Sequence, residues 1–269
     1  MGCIAIYAKI KPPIFSIKSP EAFQVGSSLP LPQPSSLVGA LAYVLAVTEN
    51  LSSEEALKKA REVVLATGAY AEKLIIPSTV ILRRFRILDR GFEKPKKREV
   101  KLTEVEKLAL LLESKDYYSA KMHLEKTLTD ALYREYMFSE TITCLWVLRE
   151  KVEAERLRLI VRLGDTESYV NVVNSWEDKC DIVEKNIVET KYPIPMVKEE
   201  IESVQGRYII AKMCDKFRRL KWFIIPLARE IRETRRGVKY LVYKPTVVHV
   251  KFRKKVPVAI TSLDEIPIL

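Results

Sequence analysis

Two short runs combine cations with flat side chains: Arg218, Arg219, Lys221 and Trp222, and then Lys251, Phe252, Arg253, Lys254 and Lys255. Cations grip a nucleic-acid backbone and aromatic faces stack on unpaired bases, so this composition suits a single-stranded polyanion. Either run alone is weak, since Trp222 could equally be a core residue. Their setting strengthens them. Between Gln205 and Lys255 there are sixteen Lys and Arg against three Asp and Glu, while the remainder of the chain holds 30 against 32. The net charge of +11 is therefore concentrated in the C-terminal part. A surface charged only for solubility would spread its charge more evenly, so this asymmetry points to nucleic acid.

Proton-transfer chemistry has few candidates, since His123 and His249 are the only histidines. His249 sits among Val247, Val248 and Val250, and strand alternation puts it on the polar face with Lys251. There it either donates a bond to RNA or covers the strand. His123 reads as a solvated helix residue, with a general acid or base as the alternative. No carboxylate cluster accompanies either, so no metal is expected. The chain has no Walker loop, dinucleotide glycine fingerprint, nucleophile elbow or zincin motif, and no cofactor is expected. Cys3, Cys144, Cys180 and Cys214 are scattered. Cys3 and Cys144 lie in apolar runs and read as packed thiols, with disulfides disfavoured in a reducing compartment. No apolar run reaches the roughly 20 residues of a membrane span, and the start lacks a secretory layout, so a soluble cytoplasmic protein is expected.

The elements that must position this chemistry begin with a strand over residues 3–10. Prolines at 30, 32 and 34 then hold a loop extended, and Ser35 or Ser36 is expected to cap the helix that follows. Leu37, Leu41, Val44 and Leu45 fall on one face of that helix. A strand, a rigid loop and a capped helix start make a place for a phosphate to dock, although the same pieces also make an ordinary core join. A second helix is expected over 53–66, capped by Ser52 or Ser53 and stopped at Gly68. A strand over 79–88 alternates Arg84 and Arg86 with Phe85 and Ile87, and a basic loop over 89–98 carries Lys96, Lys97 and Arg98. Helices over 103–112 and 116–132 complete an insertion spanning 87–133. A strand over 139–148, a helix over 150–163 stopped by Gly164, and a strand over 167–176 follow. Residues 180–190 are expected to pair back as another strand, and Tyr192-Pro-Ile-Pro breaks regular structure. The order strand, helix, strand, insertion, strand, helix, strand is that of the ferredoxin-like unit. An α+β fold is expected, with that domain over 1–190 and a basic, partly β region over 191–269.

The strand from Ile4 to Ile10, the entry Pro32-Gln-Pro-Ser-Ser-Leu-Val-Gly-Ala-Leu-Ala42, the segment Tyr133-Arg-Glu-Tyr136 and Arg162-Leu-Gly-Asp-Thr-Glu-Ser168 resemble the CRISPR-associated Cas five family over residues 1–176. The Asp-Thr-Glu-Ser version is most similar to the archaeal type I-A branch. The resemblance implies an RNA-recognition-like fold of the repeat-associated (RAMP) type with an inserted thumb, here residues 87–133. It implies a subunit that holds the 5′ handle of the CRISPR RNA and caps one end of the Cascade filament in antiviral defence. Its partners would be the Cas seven backbone subunit and the Cas eight type large subunit, with the small subunit and target DNA near the PAM beyond them. Ser35, Ser36, Arg134, Tyr136, Arg162 and Ser168 are carried over as handle contacts. The type I-C branch cleaves precursor RNA without metal, using tyrosine, lysine and histidine. Both histidines here lie outside the matched motifs, so a non-catalytic subunit is expected, with a metal-independent endoribonuclease as the alternative.

Overall fold

The structure, a computed structural model, describes residues 2–22, 26–86, 102–165, 168–197 and 199–269, with Arg83 and Arg84 described by backbone alone. The apolar alternation at the start forms β1, Gly2–Lys11. Helix α1 spans Pro34–Glu49, and α2 spans Ser53–Val63. Strands β2, Val64–Ala71, and β3, Ile75–Phe85, follow. Helices α3, Glu104–Glu113, and α4, Tyr117–Thr127, precede β4, Thr129–Ser139. After β5, Ile142–Leu148, and a 3₁₀ turn, Ala154–Leu159, comes the twenty-residue β6, Asn171–Thr190. The rest is β: β7 (Ile194–Pro195), β8 (Ile201–Gln205), β9 (Ile209–Cys214), β10 (Leu220–Ile225), β11 (Leu227–Glu233), β12 (Lys239–Pro245), β13 (Val248–Ile260) and β14 (Glu265–Pro267).

The chain divides into two compact units. The first comprises Met1–Ala22, Ser27–Ser78 and Glu135–Leu269. Its main sheet runs β14–β13–β6–β1–β5–β2, with β8 also paired to β13, and every pairing is antiparallel. Leu37, Leu41, Val44 and Leu45 of α1 are fully buried in a core shared with Ile6, Ile10 and Trp146. The Trp146 indole donates to the Leu37 carbonyl at 3.0 Å, tying the first turns of α1 to β5. On the other face Tyr7 stacks on Trp176 with ring centroids 5.0 Å apart. The C-terminal residues 191–269, set off in the sequence by charge, belong to this unit, with β13 on β6 and β14 on β13.

The second unit comprises Phe23–Gly26 and Thr79–Arg134. Its helix α3 starts at a capping box, Thr103 exchanging bonds with Glu106, and α4 is capped by the Asp116 carboxylate. His123 lies 3.2 Å from Glu104, and Arg86 lies 2.8 Å from Asp130. The whole of the basic loop expected over 89–98, with Lys96, Lys97 and Arg98, lies outside the described residues.

Several expectations are corrected. Helix α2 is capped by Ser52 as predicted but ends at Val63, because Val64–Ala71 is recruited as the sheet edge opposite β5. Gly68 is therefore no helix stop. It sits mid-strand where the Tyr192 ring comes so close that a Cβ would lie 3.0 Å from Cδ1. The helix over 150–163 is only a 3₁₀ turn. Within it Ala154 and Leu157 are buried three residues apart, which is the 3₁₀ period. The chain over 180–190 does not pair back on its predecessor but continues it, because at Asp181 β6 exchanges β1 for β13 as its partner. Cys3 and Cys180 are directly opposite on β1 and β6, with Cα atoms 5.0 Å apart, and form a disulfide rather than packed thiols. Cys144 is a buried thiol whose ionisation burial strongly opposes. No described helix is long and apolar enough to cross a membrane, and no described group of His, Cys, Asp and Glu could hold a metal ion.

Candidate nucleic-acid interface

Three segments far apart in sequence converge on one cleft of about 590 Å³ in the first unit. The first is the start of α1. Pro34 occupies the first helical position, where its missing N–H costs nothing. Gln33 closes the turn through its carbonyl, which accepts from the Ser36 and Leu37 amides at 2.9 and 3.2 Å. No side chain caps the helix, which corrects the caps expected from Ser35 or Ser36. Neither hydroxyl is spent on the helix, and both serines line the cleft. The Gln33 side chain instead accepts from the Cys214 amide at 2.9 Å, joining α1 to the end of β9.

The second segment is a hairpin between the 3₁₀ turn and β6. Arg162 pairs with Tyr169, and the Val170 amide donates to Val161. Its tip is pinned from below. The Asp165 amide donates to the Ser16 carbonyl, and Gly164, at φ +116°, passes so near that a Cβ would lie 2.8 Å from that oxygen. The Ser168 hydroxyl accepts from the Ser16 amide at 2.9 Å and donates to the Ser16 carbonyl at 3.0 Å. Ser168 is fully buried, so the handle contact expected of it is corrected: it is a clamp holding the hairpin that presents Arg162.

The third segment is the β9–β10 turn. Asp215 is buried, and one carboxylate oxygen accepts from the Phe217 and Arg219 amides, both at 2.9 Å. Lys221 approaches the other oxygen at 3.1 Å. Burial pushes this carboxyl up, but the Arg219 amide and Lys221 outweigh it and hold it below its ordinary range. Arg218 at the apex adopts the left-handed conformation, φ +65°, which directs its side chain to the cleft.

The resulting cleft is lined by two guanidinium groups (Arg162, Arg218), two hydroxyls (Ser35, Ser36) and two exposed phenol rings, Tyr43 and Tyr169. No carboxylate is among its described lining residues. Cations for phosphates and ring faces for bases are the components of single-strand recognition. The structure thus brings Ser35, Ser36, Arg162 and Arg218 together and adds Tyr43 and Tyr169, which sequence reasoning missed. Tyr43 carried a signal: it stands off the apolar stripe of α1 at 50% exposure.

The other candidates lie elsewhere. Arg219 is exposed beside the turn, and Trp222 is exposed with the Lys212 ammonium 4.8 Å from its ring centre. His249, Lys251 and Arg253 alternate on the exposed side of β13, as expected, with Lys251 bonded to Glu202 and His249 3.7 Å from Glu189. Arg134 and Tyr136 are half-buried residues of β4 engaged by neighbours. Arg86 pairs with Asp130. The Arg84 side chain and Lys96, Lys97 and Arg98 lie outside the described residues.

A CRISPR protein of solved structure from Archaeoglobus fulgidus aligns over 98% of both chains at 15% identity and a TM-score of 0.55, so the mixed α/β fold is that of a CRISPR-associated protein. No protein-family model matches the chain. The CRISPR-associated protein Cas5 of Thermoproteus tenax is 27% identical over 225 residues, which are 84% of this chain and 86% of that protein. The CRISPR-associated protein Cas5 of Methanocaldococcus jannaschii is 29% identical over 186 residues, covering 64% of this chain and 62% of that protein. The chain is thus similar in sequence to two archaeal Cas5 proteins.

Proposed function

We propose that this chain is the non-catalytic subunit of a type I Cascade complex, of the type I-A branch, that holds the 5′ handle of the CRISPR RNA and caps the backbone filament. The observation that carries this reading is the convergence of Ser35, Ser36, Arg162 and Arg218 with two exposed tyrosines in one cleft that has no carboxylate among its described lining residues. In it the arginines neutralise handle phosphates, the serine hydroxyls bond backbone or base edges, and Tyr43 and Tyr169 stack on unpaired bases. The inner strand order β6–β1–β5–β2, reached through α1 and α2 on one side and a 3₁₀ turn on the other, supports a ferredoxin-like RAMP core. The second unit, interrupting that order between β2 and β5, takes the place of the thumb. The Cas seven backbone and the large subunit are the partners this reading requires.

The test is affinity for the handle RNA against a scrambled RNA at two salt concentrations. Handle preference should persist at the higher salt, and Arg162→Ala should weaken handle binding about tenfold or more, in line with one lost charged contact. Equal binding of both RNAs that collapses with salt would leave only a generic basic surface and overturn the reading.

A further inference from the structure

The β9–β10 turn serves a second cavity as well as the handle cleft. While Arg218 turns into the cleft, Lys216 and Phe217 line a separate cavity of about 670 Å³ against α2. Consecutive Cα atoms are about 3.8 Å apart, so the two cavities adjoin across the backbone of Phe217 and Arg218. Lys58, Arg61, Arg149 and Lys216 line this second cavity, and Glu54 and Glu62 line it too, leaving an excess of two positive charges.

Two features of these cations call for an anion. The Arg61 Nε is shielded from solvent and has no hydrogen-bond partner among the described residues. The cavity-lining part of the same guanidinium is what an anion there can pair with. The Lys216 ammonium donates to the Val64 and Leu65 carbonyls at 3.0 and 2.9 Å, and burial and then the nearby Arg149 charge work against its protonation more than the Asp215 carboxylate favours it. Repulsion between Lys216 and Arg149 is relieved by a negative group between them. Beside them Phe217 is 47% exposed, with the Lys216 ammonium 5.2 Å and the Arg219 guanidinium 5.7 Å from its ring centre. An exposed ring with cations beside it offers a stacking surface for an unpaired base whose phosphates those cations can hold.

We infer that this cavity seats a phosphodiester of the bound RNA strand among Arg61, Arg149 and Lys216, with the adjoining unpaired base on Phe217. The inference rests on the handle reading and extends it: the strand leaves the cleft over the β9–β10 turn and continues along α2 for at least one more nucleotide. Anisotropy titrations would compare the handle RNA with the same RNA lengthened by unpaired nucleotides at the 5′ end or the 3′ end. One of the two extensions should raise affinity about tenfold, the scale of one stacked base. The double variant Arg149→Ala, Phe217→Ala should lose that gain and still bind the unextended handle as before. Arg149→Glu, which leaves the turn itself intact, should do the same, with melting curves confirming that both variants are folded. If neither extension adds affinity, or if the gain survives in folded variants, the second site is overturned. The handle reading fails by a different result, namely unextended binding that is indifferent to Arg162→Ala.

Discussion

Ser168→Ala separates a structural clamp from an RNA contact. The Ser168 hydroxyl makes two bonds, accepting from the Ser16 amide and donating to the Ser16 carbonyl, at a fully buried position. Alanine leaves the carbonyl with the Asp165 amide but leaves the Ser16 amide without an acceptor. A buried donor left unsatisfied costs about 1–3 kcal/mol, and the lost hydroxyl-to-carbonyl bond adds about 1 kcal/mol. The expected loss is about 3 kcal/mol, which for a chain of this size lowers the melting midpoint by about 6–12 °C. Melting followed by circular dichroism measures this, and handle affinity is measured well below the variant's midpoint. Affinity there should stay within about threefold of the parent, because Arg162 and Tyr169 keep their pairing in the hairpin. An unchanged midpoint would refute the clamp and return Ser168 to the interface.

Two further outcomes follow from other parts of the first unit. The Cys3–Cys180 disulfide closes a loop with a sequence separation of 177, so Cys180→Ser should cost about 2–5 kcal/mol. A reductant should lower the midpoint of the parent and leave that of the variant unmoved; equal midpoints with and without reductant would count against the bridge. Asp215, whose folded carboxyl is held below its ordinary value of 3.8, contributes stability that is present above that value and lost as pH falls through the lower folded one. Asp215→Asn should therefore flatten part of the acid-side decline in stability below about pH 4, where two parallel pH–stability profiles would contradict the assignment.

The first helix and the central strands were legible because their burial is periodic. Leu37, Leu41, Val44 and Leu45 face the core as their spacing requires, and 142–148 is buried at every position. The strand β2 was hidden because Val64 continues the helical stripe of α2, and only pairing with β5 decides in favour of strand. The sequence, read by composition for Arg218, by its helix entry for Ser35 and Ser36, and by family resemblance for Arg162, offered all four as candidate RNA contacts. It gave no means of seeing that they share a cleft, since the sheet alone brings positions more than a hundred residues apart together. Ser168 was misassigned for a related reason: a hydroxyl beside an arginine reads the same whether it faces a ligand or a buried amide.

The position of β1 has a consequence for how the chain comes into being. Both of its hydrogen-bonding neighbours are made long after it, with Ile4 waiting for Leu148 on one edge and Cys3 for Cys180 on the other. During synthesis at about 5–20 residues per second, the edge of this apolar strand that awaits β5 stays open for roughly 7–29 seconds and the edge that awaits β6 for roughly 9–35 seconds. Helices α1 and α2 can form beside it in that interval, but they cover one face and satisfy neither edge. A central and largely buried strand of the finished protein is thus an open one in the nascent chain, and its rescue depends on how promptly β5 and β6 emerge.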